Sequence, residues 1–300
     1  MSLYNFNSHC DNRLDKILSE TLGISRSYAK NLIKNNDVKV DDVLVSRPSN
    51  LIKKGQKISL PLDLTKKNEN IITKTKASYN ILYEDSYLLI INKPAGLTTH
   101  IGAGNYENTL VNALLYDNVK LSDVAGKERQ GIVHRLDKDT SGCLIIAKDN
   151  ETHLKLKEMF KEKAVSRIYV ALVYGIFKEK AGIWSTYIGR NPKNRKKMTV
   201  LNEGREAITK YKVLEEYQKK YSLVEFELIT GRTHQIRVHC KHFNKPIIGD
   251  KKYGISSKLK ADYQLLHAKS ISFIHPITGE NIHIEAPINE HFLSVLKKIQ

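Results

Sequence analysis

The clearest candidate for chemistry in this sequence is an aspartate that follows an arginine by two residues. Arg135 and Asp137 lie in a polar segment, residues 134–142 (HRLDKDTSG), between two apolar runs. If the segment is extended, both side chains point to one side, and the guanidinium keeps the carboxylate ionised and oriented. Such a carboxylate suits a nucleophile or an electrostatic anchor better than a general acid. A structural ion pair is the alternative, and the dense polar surroundings make it less favourable.

A second polar motif, residues 228–239 (LITGRTHQIRVH), supplies two guanidinium groups, Arg232 and Arg237. One of its threonines can cap a helix that begins near Gly231. The histidines here, with Cys240, raise the alternative of a metal site. Their irregular spacing, the neighbouring arginines and the lack of clustered carboxylates argue against a bound cation.

Residues 167–175 (RIYVALVYG) alternate as a β-strand does and place Arg167, Tyr169, Ala171 and Val173 on one face. A tyrosine on a strand most often packs in the core. The alternative is an aromatic surface on which a flat ligand stacks.

The elements that must hold these residues follow from apolar periodicity and turn residues. A helix at residues 108–115 should pack beside the polar segment. The other predicted elements are a hairpin at 81–91, a turn at 92–97, an amphipathic helix at 151–163 and a closing helix at 289–299.

Composition limits the partners. The 300 residues are enough for two domains, and the net charge of +17 favours a polyanion, most simply nucleic acid. An anionic membrane surface is the competing partner, but no apolar stretch is long enough to span a bilayer. Three separated cysteines and the polar start of the chain predict a reducing compartment, the cytoplasm, without a disulfide framework.

The first 61 residues predict a small α/β module. Two short helices, capped by Asn12 and Ser25, precede a hairpin around Asp41 and Asp42 and a last strand at 58–60. Residues 62–78 are polar and lysine-rich and are typical of a linker.

Two basic surfaces are predicted to contact phosphates. Arg26, Lys30 and Lys34 recur every four residues and therefore lie on one helical face, with Arg13 nearby. Residues 190–197 (RNPKNRKK) form a basic loop that contains Arg195 and Lys196. A solvated charged face is the alternative for each, and the +17 charge favours phosphate contacts.

Together the motifs resemble the RluA/RluD-type pseudouridine synthases, which isomerise uridine in RNA. The resemblance lies in HRLDKDTSG at 134–142, KPAG at 93–96 and TGRTHQIRVH at 230–239, and extends over nearly the whole chain. It implies an α+β catalytic domain over residues 79–300 with a mixed, mainly antiparallel sheet. Residues 1–61 resemble the S-four-type RNA-binding module.

The resemblance also implies roles for single residues. By it, Asp137 is the catalytic aspartate, Arg237 pairs with that aspartate, and Tyr169 stacks on the target base and assists proton transfer. Arg135 fills the space that the target base leaves, and Leu266 forms an apolar floor beneath the base. The other RNA-contacting residues predicted here are His134, Arg232, Arg13, Arg26, Lys30, Lys34, Arg195 and Lys196.

Isomerising uridine breaks the N-glycosidic bond, turns the base and rejoins it through carbon. No atoms are gained and no redox change occurs, so no metal or organic cofactor is expected. The carboxylate either attacks the sugar or assists formation of a glycal-like intermediate.

The sequence departs from the family pattern at two places: His100-Ile101-Gly102 stands where the family often has His-Pro-Gly, and Arg167 stands where it commonly has lysine. GIVHRLDKDTSG with residues 102–105 favours the RluD-like branch and a uridine in large-subunit (23S) ribosomal RNA, free or in a particle. Transfer RNA is the alternative substrate. Rival functions are a non-catalytic ribosome-assembly factor, a glycosidic-bond hydrolase that uses Asp139, and DNA binding by charge. A monomer is expected.

Overall fold

The computed structural model describes residues 3–24, 26–35, 38–61, 74–102 and 107–300. The chain divides into two compact units, Met1–Ile71 and Ile72–Gln300. Most of the predicted linker, the predicted cap Ser25 and most of segment 102–105 lie outside the described residues. The last linker residues, 74–78, have no regular secondary structure.

The N-terminal unit contains short strands and two helices. Its sheet has the strand order β1-β6-β3-β4, and β2 pairs separately with β5. The elements are β1 (Leu3–Asn7), β2 (Asn12–Arg13), α1 (Leu14–Leu22), α2 (Arg26–Lys34), β3 (Lys39–Val40), β4 (Val43–Leu44), β5 (Leu51–Ile52) and β6 (Lys57–Pro61).

The core of the N-terminal unit joins the two helices to β3 and β6. The predicted apolar helix faces are buried, including Leu14, Ile17 and Ile33. The predicted cap at Asn12 is wrong, because Asn12 pairs in β2 and Arg13 occupies the N-cap position of α1 without a side-chain cap. The hairpin at Asp41-Asp42 is confirmed between β3 and β4.

The C-terminal unit is built on one ten-stranded sheet with a few short helices. Besides a single 3₁₀ turn at Lys127–Arg129, its elements are β7 (Asn80–Glu84), β8 (Leu88–Lys93), α3 (Leu110–Tyr116), β9 (Ser141–Ala147), α4 (Asn150–Lys161), β10 (Ser166–Tyr174), β11 (Ala181–Arg190), β12 (Met198–Leu201), β13 (Arg205–Tyr217), β14 (Tyr221–Leu228), α5 (Gln235–His242), β15 (Leu266–Ile274), β16 (Asn281–Glu285) and α6 (Glu290–Leu296).

The sheet is mixed and mainly antiparallel, as predicted for an α+β fold. Its order is β12-β11-β13-β14-β10-β15-β9-β8-β7, and β16 pairs with β15. Every pairing between these strands is antiparallel except the one between β9 and β15. No helix within the described residues is long and apolar enough to cross a membrane.

The central strands are apolar on both faces because both faces of the sheet are covered. In β9 all seven residues are buried; Leu144 and Ile146 point into the core that contains α3, whereas Cys143 and Ile145 point into the core that contains α4. Continuous apolar runs of this kind are typical of strands buried on both faces.

The parallel contact between β9 and β15 fixes the end of the HRLDKDTSG segment. Gly142 pairs with Ala268 so closely that an added Cβ would lie 2.2 Å from the Ala268 carbonyl oxygen, and its φ is +112°. Only glycine allows both the close approach and this backbone conformation. The contact brings the polar segment beside Leu266 at the start of β15.

The helix of the second motif begins later than predicted. α5 starts at Gln235, not near Gly231, and His234 before it is left-handed with φ +58°. The Gln235 side chain explains the delay: its Oε1 accepts from Thr230 Oγ1 and from the Arg232 backbone N–H. Residues 230–234 are therefore held as a loop that presents side chains to the polar segment.

Candidate active site

The backbone of the HRLD loop is held firmly before β9. Thr99 Oγ1 donates to the Leu136 carbonyl at 2.8 Å, and the Thr140 N–H donates to the Asp137 carbonyl at 3.1 Å. Thr140 Oγ1 in turn accepts from Gln264 Nε2 at 2.6 Å. A carboxylate on a loop anchored in this way keeps a fixed position.

Lys93 of the KPAG motif ties that motif to the HRLD loop. Its side chain is fully buried, and Nζ donates to the carbonyls of Pro94, Leu97 and Lys138 at 2.7, 2.8 and 3.0 Å. Burial lowers the pKa of Lys93 to about 7, while the charges of Asp137 and Asp139 oppose the shift. The KPAG motif therefore holds the loop in place through the hydrogen bond from Lys93 to the Lys138 carbonyl.

Arg237 connects two carboxylates. Its Nη1 donates to Asp137 Oδ2 at 2.7 Å, while Nε and Nη2 donate to the two oxygens of Asp250 at 2.8 and 2.9 Å. The side chains of Arg237, Asp250 and Asp137 are 8%, 1% and 17% exposed. The bidentate pair with Asp250 fixes the guanidinium plane, so the Nη1 group of Arg237 holds the Asp137 carboxylate in one orientation.

The charge network keeps Arg237 and Asp250 ionised. Burial raises the pKa of Asp250, but hydrogen bonds and charge from Arg237 outweigh it and hold that pKa below its usual value. Burial lowers the pKa of Arg237, and the two carboxylates more than restore it. Sequence patterns alone do not single out Asp250.

Arg135 does not fill the role predicted from the Arg-x-Asp spacing. It is exposed, and its Nη1 lies 3.5 Å from His100 Nε2. Among the described residues, Arg237 is the ion-pair partner of Asp137, and the His234 ring lies further from that carboxylate, at 3.7 Å. The predicted local orientation is wrong because the segment does not run as a strand there.

His234 lies next to Asp137, and Tyr253 is within hydrogen-bond distance of His234. Tyr253 Oη accepts from the Met198 N–H at 2.8 Å and lies 2.8 Å from His234 Nδ1. When that hydroxyl donates to Nδ1, the imidazole proton is on Nε2, 3.7 Å from Asp137 Oδ1. Burial lowers the pKa of His234 to about 4, so the ring is neutral at pH 7. This tautomer presents an N–H to the carboxylate, which electrostatics favours.

A cavity of about 570 Å³ opens on one side of Asp137. Tyr169, Leu136 and Leu266 line it with apolar surface, and all three are buried. Burial raises the pKa of Tyr169 to about 12, so its hydroxyl stays protonated. A flat, neutral ring fits such walls, with the Asp137 carboxylate at its edge.

A second cavity of about 700 Å³ shares Asp137 and Arg237 with the first. Asp139 lines this second cavity and not the first, so the two aspartates do not face each other across the first cavity. Cations dominate its remaining wall: Arg135, Lys138, Lys196, Lys197, Lys251 and Lys252. These side chains suit the phosphates on either side of a nucleotide held in the first cavity.

The remaining predicted RNA-contacting residues of the C-terminal unit do not all line the two cavities. His134 Nε2 accepts from the Ile145 N–H, and burial lowers its pKa to about 3, so its ring holds the loop to β9. Arg232 lines the first cavity and donates from Nε to the Glu206 carbonyl. Arg195 is exposed and lines neither cavity, whereas its neighbour Lys196 lines the second.

In the N-terminal unit, the predicted phosphate contacts surround a buried aspartate. Arg13 Nε and Arg26 Nε each lie 3.0 Å from an oxygen of Asp15, and Lys30 Nζ lies 3.9 Å away. Burial raises the pKa of Asp15, and the hydrogen bonds from Arg13 and Arg26 outweigh it, so the pKa is lowered. Lys34 is exposed at the end of α2. The sequence does not single out Asp15.

These residues supply a carboxyl group, a fixed cation, a buried phenol and an apolar wall. That combination can act on the sugar of a nucleotide whose base lies in the first cavity. Within the described ranges, no group of three or more histidine, cysteine, aspartate or glutamate side chains is arranged to hold a metal ion.

Comparison with known proteins gives the class. The family model for RNA pseudouridylate synthase matches residues 87–242, and the S4 domain model matches residues 12–58. Two human proteins of known structure, RNA pseudouridylate synthase domain containing 1 and 4, superpose with TM-scores of 0.58 and 0.57 at 26% and 25% identity. They cover 70% and 73% of this chain, which aligns with 83% and 92% of theirs.

Relatives match almost end to end. An uncharacterized RNA pseudouridine synthase of Aquifex aeolicus is 40% identical over 95% of this chain and 93% of its own. Proteins named ribosomal large subunit pseudouridine synthase D are 37% identical in Xanthomonas campestris and 36% in Pseudomonas aeruginosa, each over 96% of this chain and 89% and 92% of theirs. The chain therefore belongs to the RNA pseudouridylate synthase family, and it is an RNA-binding isomerase with an S4 domain.

Proposed function

We propose that this pseudouridine synthase modifies specific uridines of large-subunit ribosomal RNA and that Asp137 is its catalytic aspartate. The proposed domains are an RNA-binding domain at residues 1–61, a linker at 62–78 and a catalytic domain at 79–300. The family models match inside the first and the third of these ranges.

One observation carries the role of Asp137: its carboxylate borders the apolar cavity and is held by an arginine that a second carboxylate fixes. This geometry suits a group that must stay ionised beside a ribose. Tyr169 supports a stacked base, and Arg237 keeps Asp137 in position. Leu266 contributes the apolar surface under the base.

The target uridine must leave its stack to reach the cavity, at an expense of a few kcal/mol. Contacts between basic side chains and phosphates supply binding free energy that offsets this. The second cavity, with Lys196 and Arg135, and the Asp15 cluster of the N-terminal unit carry suitable charges. Ribosomal RNA is the preferred substrate class because the relatives named pseudouridine synthase D match the chain over 96% of its length.

The test measures tritium release from RNA labelled at uridine C5, with large-subunit ribosomal RNA and transfer RNA transcripts in parallel. We expect the native protein to release tritium from ribosomal RNA without free uracil. Asp137→Asn should lower the rate by about 10³-fold or more, because the neutral amide cannot replace the carboxylate. Asp262→Asn, at an exposed aspartate, serves as the matched control.

Each other outcome identifies a rival. Faster release from transfer RNA would change the substrate class, and free uracil would indicate a hydrolase. Tight RNA binding without tritium release by any variant, on free RNA and on ribosomal particles, would favour an assembly factor. Equal rates for the native protein and Asp137→Asn would exclude Asp137 as the catalytic group.

A further inference from the structure

Arg167 is a cation of the first cavity that the proposed roles do not use. It lines the cavity together with Asp137 and Tyr169. Arg237, another arginine that lines this cavity, is occupied by two carboxylates. Among the residues that the structure describes, no carboxylate forms an ion pair with Arg167.

The hydrogen bonds of Arg167 are incomplete. Its Nη2 donates to the Leu228 carbonyl at 3.2 Å, whereas its buried Nε has no partner within the described part of the chain. The guanidinium carbon lies 5.5 Å from the centre of the Phe160 ring. A Cβ on Gly231 would lie 2.7 Å from Nη1, so the glycine of the second motif leaves room for this group.

A guanidinium in this setting calls for a ligand. Moving a cation out of water without a counter-ion is unfavourable, and buried donors normally have acceptors. Burial lowers the pKa of Arg167, yet an arginine side chain does not lose its proton in a protein. An anionic or carbonyl-rich ligand in the cavity would supply acceptors for the part of the guanidinium that lines it.

The position of Arg167 matches the edge of a base stacked on Tyr169. The two residues lie two apart on β10, about 7 Å apart along the strand. The register between β10 and β15 shifts between Ile168 and Tyr169, and both the Arg167 and the Tyr169 side chains line the first cavity. The guanidinium of Arg167 can thus reach the rim of a ring that covers the phenol of Tyr169.

The reaction creates a charge at that place. When the N1–C1′ bond breaks, its electron pair stays on N1, and the base becomes an anion with charge spread over N1, O2 and O4. The base then turns, C5 forms a bond to C1′, the proton on C5 leaves to a base and N1 takes up a proton. Cleavage leaves C1′ electron-deficient until the Asp137 carboxylate binds it or a proton leaves C2′ to give the glycal-like intermediate. After either event, the detached anionic base has no positive partner on the ribose.

We infer that Arg167 is a further catalytic residue, which binds a carbonyl oxygen of the uracil and stabilises the detached, anionic base. This role rests on the proposed function of the site. It supplies the electrostatic stabilisation that enzymes place where charge develops. It also favours a base with carbonyl groups at its edge over one with amino groups there.

A structural role is the competing explanation, since Arg167 also supports the Leu228 carbonyl and covers Phe160. Two substitutions separate the explanations. Arg167→Gln keeps an amide donor for the Leu228 carbonyl but removes the charge, and Arg167→Lys keeps the charge. Lys180→Met, at an exposed lysine paired with Glu216, controls for the loss of one positive charge.

The experiment measures single-turnover rates on RNA at saturating full-length enzyme, with RNA affinity and thermal unfolding of each variant. Arg167→Gln should lower the rate of tritium release by about 10²-fold while RNA affinity changes less than about threefold. Arg167→Lys should stay within about tenfold of the native rate. Lys180→Met should react at the native rate.

A second substrate tests the charge directly. Fluorine at C5 withdraws electrons and makes the detached base a more stable anion, so it depends less on the guanidinium. The consumption of 5-fluorouridine in the same RNA should therefore be slowed by Arg167→Gln about tenfold or less, compared with about 10²-fold on uridine. A structural defect would slow both substrates alike.

The outcomes are distinct. If the native enzyme reacts and Arg167→Gln reacts equally fast, or loses the same factor on both substrates, the inference about Arg167 is wrong while the proposed function stands. If Arg167→Gln does not fold, a loss of more than 10²-fold in folded Arg167→Lys on both substrates leads to the same conclusion. If neither the native protein nor Lys180→Met reacts with any RNA, the proposed function itself fails.

Discussion

The tetrapeptide Arg-Leu-Asp-Lys occurs twice, at residues 13–16 and 135–138, and the two copies place their charges in opposite ways. In the first copy the aspartate is buried and its own arginine pairs with it at 3.0 Å. In the second copy the arginine turns to solvent and the aspartate pairs with Arg237, 100 residues further along the chain. Identical local sequence therefore gives two different ion clusters.

The difference lies in which sign is buried. In the N-terminal unit, Asp15 is 0% exposed, and Arg13, Arg26 and Lys30 around it are 39%, 45% and 45% exposed, which leaves excess positive charge at the surface. In the catalytic unit, one buried arginine serves two carboxylates, and the more exposed one is Asp137. In each unit, therefore, a buried ion holds at least one partner that is more exposed than itself.

The largest effect is expected from removing the buried acid of the catalytic unit. Asp250→Asn should lower the rate of isomerisation by about 10²-fold and the free energy of unfolding by about 3 kcal/mol, because Arg237 loses its charged partner and no longer fixes Asp137. Rates are measured by single-turnover tritium release and stability by denaturant unfolding.

The control for this change is Asp262→Asn, at an aspartate whose side chain is 87% exposed. RNA affinity should be unchanged in both variants, since Asp250 faces Arg237 rather than the cavities. A stable Asp250→Asn protein with the native rate would mean that Arg237 orients Asp137 without help.

Removing the buried acid of the N-terminal unit should weaken RNA binding. Asp15→Asn raises the net charge, so simple electrostatics predicts tighter binding to RNA. We expect affinity to fall about tenfold instead and the unit to lose about 2 kcal/mol of stability, because Arg13 and Arg26 lose their common anchor. The rate at saturating enzyme should not change.

Binding titrations of the intact chain at one salt concentration decide between these directions. Asp42→Asn, at an aspartate whose side chain is 73% exposed, gives the effect of one lost negative charge alone. If both variants bind RNA more tightly than the native protein, Asp15 does not organise the basic surface.

Acidification should lower the free energy of unfolding of the catalytic unit more than that of the N-terminal unit. Burial lowers the pKa of His134 to about 3 and those of His234 and His239 to about 4, from an ordinary value near 6.5. As the pH falls from 6.5, the unfolded chain binds protons before the folded unit does. The free energy of unfolding is therefore highest above pH 6.5. It falls toward pH 4 by roughly 1 kcal/mol per pH unit for each histidine.

The N-terminal unit contains one histidine, His9, which is exposed. Hydrogen exchange of the intact chain, corrected for its intrinsic pH dependence, should show opening free energies that drop between pH 6.5 and 5 in the catalytic unit only. His239→Gln should reduce that slope. A parallel drop in both units would show that the buried histidines do not dominate.

Local patterns predicted many of the elements, and the resemblance to the pseudouridine synthases implied the fold and the roles of the main site residues. The apolar runs of β8 to β10 and the motif residues Asp137, Tyr169 and Arg237 are visible in the sequence because each belongs to a short apolar or polar run. The pairing of Arg135 with Asp137 was predicted by the same reasoning and is wrong. The spacing is correct, but the conformation between the two residues is not regular.

Long-range partners could not be predicted in this way. Asp250 and Tyr253 reach the site through a loop after α5, and Arg167 depends on the space left by Gly231 on another segment. No spacing rule encodes such contacts, because tertiary packing decides which side chains meet. The start of α5 was misplaced for a related reason, since the Gln235 side chain binds the preceding loop.

The smallest expected effect refines the comparison within the N-terminal cluster. Arg26 is hydrogen-bonded to Asp15, whereas Lys30 lies 3.9 Å away and holds its place mainly by charge. Lys30→Gln should leave the free energy of unfolding within about 0.5 kcal/mol of the native value. Its effect on RNA affinity should appear chiefly as a salt dependence weakened by about one phosphate contact.

Affinities measured over a range of salt concentrations give that slope, with Lys16→Gln on the exposed side of α1 as the matched control. A smaller slope for Lys30→Gln than for Lys16→Gln would mean that the side chains gathered on Asp15 touch phosphates directly. Equal slopes would mean that RNA senses only the total charge of the unit. Asp15 would then stabilise the fold without arranging the basic surface, and it would differ in this from Asp250, which fixes Arg237.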